Sequence, residues 1–200
     1  IINHKANDAW KVKQVRFGWI DFIDDLEVSA ALLEAVIEFG RKAGMTQIVG
    51  PLGFTDFDPE GMLVEGYDRL GTMALIYNHP YYPEHMKKHG YYKETGWLEY
   101  RITIPEMVSE RHKRIAEAVM DRYGLTIKKK TRSQIKKERY GQKLFKLINE
   151  TYCVLYGYSL LSEKQIDQYV GLYLSLIDTE MLTFVENQEG ELIAAGISIP

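Results

Sequence analysis

The chain has 200 residues, 46% of them hydrophobic and 26% charged, with a net charge of −3. That length fits one large or two small domains and supports a core without help from a disulfide or a metal; the near-balanced charge gives no general pull toward nucleic acid or anionic lipid. A single cysteine, Cys153, excludes an internal disulfide, and no apolar run approaches the ~20 residues that a membrane-spanning helix needs.

Ile1-Ile2-Asn3-His4 does not read as a charged leader with an apolar core behind it, so the expectation is a soluble, cytoplasmic protein. Residues 11–23 alternate, with Val15, Phe17, Trp19 and Asp21 on one face and Ile20 and Phe22 on the other, which predicts a strand central in a sheet. Asp24 or Asp25 then caps a helix over 28–43 with the apolar stripe Leu32, Leu33, Val36, Ile37 and Phe39, closed by Gly44. A short strand over 46–50 ends at Pro51. Residues 52–72 are rich in Gly, Asp and Pro and predict a long ordered loop, packed by Phe54, Phe57 and Tyr67. A short helix over 81–90 carries Pro83 in its first turn, and 96–104 reads as a strand ended by Pro105.

A second unit is expected from residue 106, which divides the chain into 1–105 and 106–200. Its predicted elements are a helix over 106–123 closed by Gly124, a strand over 125–128 and one long helix over 133–156. A helix opened by the capping box Ser162-Glu163-Lys164-Gln165 follows, then strands 182–186 and 191–199 joined through Asn187-Gln188-Glu189-Gly190. Cys153, at an apolar helix end, reads as a buried, inert thiol.

The order of elements carries a resemblance. Taken in reverse order, the two units give the sequence of elements of the GNAT N-acetyltransferase fold, an α/β fold on a mixed sheet. The segments Gly50-Pro51, Gly61-Met62-Leu63-Val64-Glu65-Gly66, Tyr77-Asn78-His79-Pro80-Tyr81-Tyr82 and His89-Gly90-Tyr91 strengthen it. The chain resembles tandem GNAT acyltransferase-like proteins of bacteria, as the back part of one GNAT-like domain followed by the front part of a second. The resemblance implies acyl-CoA or acetyl-CoA as co-substrate and an amine as acceptor. Asp21 then stands where a general base acts and Tyr82 near where a general acid serves the leaving thiolate, although the position that matches the family tyrosine is Met86. The family holds the CoA pyrophosphate on a glycine-rich helix start, whereas the matching turn here, Asp24-Asp25-Leu26-Glu27-Val28-Ser29-Ala30, has no glycine and three carboxylates. No cofactor-binding residue is assigned, and the turn also reads simply as a well-capped helix.

Tyr77, Asn78 and Tyr81, with Glu65 and Asp68 from the preceding loop, form the substrate-binding candidate, because such side chains join apolar bodies to hydrogen-bonding tips; the same residues also suit a structural turn. Asp21 likewise suits a strand-end cap. His79, His85 and His89 raise a metal reading, but no Glu follows His85 and Lys87 and Lys88 add positive charge. No metal is expected, and His85 and His89 read as a solvated helix face. The basic run 128–139 is nearly free of aromatics and reads as a solvated surface in preference to a nucleic-acid site. Two functions remain open: N-acyl transfer, or a non-catalytic binding or scaffold module on the same fold.

Overall fold

The computed structural model describes residues 1–72 and 75–199. The protein is mixed α/β, with small sheets and seven α-helices among the described residues. It divides into two compact units: Ile1–Leu98 with Val154–Leu160, and Glu99–Cys153 with Leu161–Pro200. The division thus falls before the expected 105/106 boundary, and a short later segment returns to the first unit.

The first unit begins with helix α1, His4–Trp10, which sequence reading missed. Asn3 caps it through Ala6 N–H (3.0 Å) and reaches across to the Phe54 carbonyl (2.7 Å). Strand β1 (Gln14–Arg16) and strand β2 (Gln47–Val49) run parallel in register Gln14↔Gln47, joined by helix α2 (Leu26–Lys42). The cap of α2 is Asp25, whose side chain accepts from Glu27 N–H and Val28 N–H. Gly40 is where α2 comes closest to the sheet: a Cβ there would stand 2.5 Å from Val15 Cγ1. Gly44, at φ +75°, turns the chain back into β2.

The strand predicted over 11–23 is much shorter. Phe17 N–H still bonds the Val49 carbonyl (3.1 Å) and Leu52 N–H bonds the Phe17 carbonyl (2.7 Å). Pro51, lacking an N–H, interrupts the ladder, and Trp19 leaves it at φ +53° with its ring 74% exposed. Helix α3 (Tyr81–Lys88) then packs on what lies beyond the strand ends. The core is Phe17, Phe22, Leu33, Tyr82 and Met86, each worth about 1.5–3 kcal/mol of burial.

The predicted strand over 96–104 does not form: Leu98, Tyr100, Ile102 and Ile104 are exposed, and among the described residues no strand pairs with it. An alternating run needs a partner edge before it becomes a strand.

In the second unit, helix α4 (Glu110–Tyr123) starts at Ser109 and ends at Gly124. Strand β3 (Thr126–Lys128) leads to helix α5 (Arg132–Lys137), opened by the Thr131/Gln134 capping box. The expected single helix over 133–156 is broken here, because Arg139 adopts φ +57° and starts helix α6 (Tyr140–Tyr152) anew. Helix α7 (Glu163–Leu176) opens with the predicted Ser162/Gln165 box. Strands β4 (Leu182–Glu186) and β5 (Leu192–Ile197) form the predicted hairpin and, with β3, an antiparallel sheet in the order β3-β4-β5. Ile135, Tyr140, Leu182 and Phe184 make its core. Cys153 is exposed, not buried: α6 ends just before it, and its Sγ donates to the Glu150 carbonyl (3.3 Å).

Candidate functional site

The first unit gathers its polar groups where α3 meets the chain beyond β1 and the first turn of α2. Phe22 sits at the centre. Its ring stacks on Tyr82 (4.2 Å, 23°) and on His85 (5.4 Å, 26°), its N–H donates to Tyr82 Oη (3.2 Å), and its carbonyl accepts from Tyr81 Oη (2.6 Å). Tyr82 Oη in turn donates to the exposed Asp21 carboxylate. Burial, reinforced by that carboxylate, pushes the Tyr82 hydroxyl up to about 12. Tyr82 is therefore a neutral donor that holds Asp21, and its proton is already committed.

One helical turn further along α3, His85 is buried and His89 half-buried. The expectation of a solvated helix face is overturned. Tyr82, His85, Met86 and His89 follow helical spacing, so the same stripe that enters the core carries both imidazoles inward. Ser29, completely buried in the first turn of α2, bridges them: its Oγ lies 2.9 Å from His85 Nδ1 and 2.8 Å from His89 Nε2, and 3.1 Å from the Leu26 carbonyl. His85 Nε2 meets Asp24 Oδ1 at 2.9 Å, with the Asp24 side chain 69% exposed. Sequence reading placed Ser29 in the acidic turn without a role of its own and split Asp24 from its partner. The available signal was the apolar stripe of Tyr82 and Met86 flanking His85.

The substrate-binding candidates are only partly brought together. Asn78 is buried and staples the loop: its Oδ1 accepts from Leu63 N–H (2.6 Å) and its Nδ2 donates to the carbonyls of Leu63 (3.3 Å) and His79 (3.1 Å). Tyr67 Oη also donates to the Leu63 carbonyl (2.6 Å) and meets Tyr77 edge to face. The loop is thus held by these bonds, whereas Phe54, expected to pack it, is exposed. Glu65, Asp68 and Tyr77 are exposed, whereas Tyr81 stacks on His79 (5.5 Å) and joins the Phe22 cluster.

A second polar group, also missed, surrounds Arg16. Its buried guanidinium donates to the carbonyls of Gly157 (2.8 Å) and Gly53 (3.4 Å), and its Nε has no hydrogen-bond partner among the described residues. Asp58 Oδ2 accepts from Phe54 N–H (2.7 Å) and Thr55 N–H (2.9 Å). Burial pushes the Glu60 carboxyl up to about 7; Asp56 adds to the rise more than Asp58 does, and Arg16 opposes it.

In the basic run, Lys129 Nζ bonds the carbonyls of Glu180 (2.9 Å) and Leu182 (3.0 Å), Lys130 pairs with Glu138 (2.8 Å), and Arg132 donates to the Ile177 carbonyl (3.2 Å). These cations are spent inside the unit. Among the described residues no group of three or more His, Cys, Asp or Glu side chains is placed to hold a metal ion, and no helix is long and apolar enough to cross a membrane.

Fold and site together define a mixed α/β protein with a histidine- and tyrosine-rich polar centre beyond a pair of parallel strands. Over 190 residues, 92% of the chain, it is 26% identical to the bacterial ceramide synthase of Caulobacter vibrioides (strain NA1000 / CB15N), covering 46% of that protein. Over 77 residues, 38% of the chain, it is 35% identical to protein YghO of Escherichia coli (strain K12), covering 20% of it. The chain spans less than half the length of these curated relatives. No family model matches it, and no solved structure does.

Proposed function

We propose that this chain is part of a GNAT-type N-acyltransferase that moves an acyl group from an acyl-CoA to an amine in the cytoplasm. The observation that carries the reading is the Asp21–Tyr82 pair, set past the carboxyl end of β1 and next to the helix that links β1 to its parallel neighbour. Open α/β sheets bind their ligands beyond the carboxyl ends of strands. The order β1, α2, β2, loop, α3 suits the back part of such a domain, and β3, α5 with α6, α7, β4, β5 suits the front part of another. The Caulobacter relative is named a bacterial ceramide synthase, and ceramide formation is the acylation of an amine.

In this reading the amine nitrogen attacks the thioester carbonyl carbon. A C–N bond forms, the C–S bond breaks, and the thiolate departs. Asp21, exposed and acceptor-only, takes the proton released by the nitrogen. Tyr82 is a positioning residue that fixes the carboxylate. The start of α2 does not fit a CoA pyrophosphate: Asp25 already occupies Glu27 N–H and Val28 N–H, and Asp24 and Glu27 add like charge. No step is routed through that turn.

The test is calorimetric titration of the full chain with acetyl-CoA and longer acyl-CoAs, followed by mass-spectrometric detection of amide from a long-chain primary amine. Saturable binding is expected, with amide formation reduced at least ~100-fold in Asp21→Asn. Absence of binding by every acyl-CoA ends the reading. The occupied start of α2 favours a second one, a non-catalytic module on the same fold, for which binding without product is the expected outcome.

A further inference from the structure

Residues 96–104 have the alternation of a strand and no strand to pair with. Among the described residues none of their backbone groups joins a backbone–backbone hydrogen bond. We propose that residues 97–103 pair with the same residues of a second copy of this chain, as an antiparallel ribbon centred on Tyr100. Association of this kind needs neither acyl donor nor turnover, so it stands apart from the acyl-transfer reading.

In an extended segment side chains alternate between two faces. Leu98, Tyr100, Ile102 and Ile104 then share one face, and Trp97, Glu99, Arg101 and Thr103 share the other. All of them are exposed, Ile104 by 87%. Trp97 is tethered, its ring meeting Tyr156 edge-on at 6.4 Å. A soluble chain rarely exposes a continuous apolar row without a partner for it, and an unpaired alternating segment is a template for another strand.

The sequence of the segment selects a copy of itself. Two antiparallel copies centred on Tyr100 set Glu99 opposite Arg101 twice, Leu98 opposite Ile102 twice, and Tyr100 opposite its twin. Opposite charges and aromatic pairs facing each other across strands stabilise a ladder, and like charges weaken it. Neighbouring registers lose this match. Centring on Arg101 sets that arginine against its twin, and centring on Glu99 does the same for the acid. A shift by a single residue puts the apolar face of one strand beside the polar face of the other. Glu99 and Arg101 form no ion pair among the described residues, so both charges are free for the exchange. A two-fold pairing of one surface with itself is also the commonest way for identical chains to associate.

A two-stranded ribbon is marginal alone and needs its apolar face covered. Helix α4 follows directly after residues 105–109 and buries none of its side chains. Ile115, Val119 and Tyr123 recur every fourth residue and leave an exposed apolar stripe along it. The stripes of two copies, laid on the ribbon, cover the Leu98–Ile104 face. A stable interface takes roughly 800 Å² from each partner, and nine large apolar side chains exposed between Leu98 and Tyr123 supply surface of that order.

The experiment is sedimentation velocity of the full chain over a concentration series, with charge reversals. A dimer is expected, with self-association at least ~10-fold weaker in Arg101→Glu and in Glu99→Arg. The double reversal is expected to restore it, and an equimolar mixture of the two single variants to give the mixed pair in native mass spectrometry. Both residues are exposed, so neither variant threatens folding. The register has its own readout. Made in Cys153→Ser, Tyr100→Cys is expected to cross-link two copies under mild oxidation at least ~10-fold faster than Ile104→Cys, whose twin lies about 26 Å along the ribbon. A monomer at every concentration, assemblies larger than two, self-association untouched by either reversal, no mixed pair, or equal cross-linking at the two positions overturns the proposal.

Discussion

The two units handle buried polar groups in opposite ways. The first links Asp24, His85, Ser29 and His89 through bonds between residues 56 to 61 positions apart, and the row runs from an exposed carboxylate to a pocket. The second buries one such pair, Tyr140 with Glu186, inside a core of Ile135, Leu182 and Phe184, with Lys130 and Lys143 over the tyrosine ring at 4.9 and 4.7 Å. Its polar pair is enclosed by apolar side chains and covered by the two lysines, and its β4–β5 hairpin is local in sequence. A connected row that reaches a cavity suits ligand chemistry, whereas an enclosed pair specifies packing.

The largest way to sharpen this contrast lies in the second unit. Phe184→Ala removes a ring that is 2% exposed and is expected to cost about 3–5 kcal/mol in urea unfolding, since its surroundings are tightly packed side chains. In the first unit, Ser29→Ala deletes no large volume but strips His85 Nδ1 and His89 Nε2 of their shared partner. A loss of about 1–3 kcal/mol is expected, together with altered histidine ¹⁵N shifts; unchanged shifts break the idea of a linked row. The smallest effect is a pH dependence. Glu60 titrates at about 7 when folded and near its ordinary 4.5 when unfolded, so between those values the folded chain holds a proton that the unfolded chain has released. Stability from this group is therefore greatest at low pH and declines as pH rises from about 4.5 to about 7. Glu60→Gln is expected to flatten that decline, and solvent around the half-exposed carboxylate keeps it modest.

Local signals were legible in the sequence where one segment contains the whole physical cause. The Ser162/Gln165 box, the Asn187–Gly190 turn and the glycines after α2, α3 and α4 each act within a few residues, and each sits where its chemistry demands. The strand expected over 96–104 lacked a partner edge, which no alternation can supply. The break at Arg139 rests on a left-handed residue that its neighbours do not announce. In the candidate site, Asp21, Tyr81 and Tyr82 meet around Phe22, although the sequence had set Tyr81 apart with the substrate-binding candidates. Ser29 was invisible because a small hydroxyl gains meaning only when a distant helix lays two imidazoles on it. His85 and His89 were misjudged because the nearby lysines outweighed the Tyr82–Met86 stripe in the reading.

Cys153 is the chain's sole thiol, and it stands in the open at the end of α6. A maleimide fluorophore or spin label therefore attaches at one known position without mutagenesis. That gives the second unit a built-in reporter while the polar centre of the first stays chemically untouched.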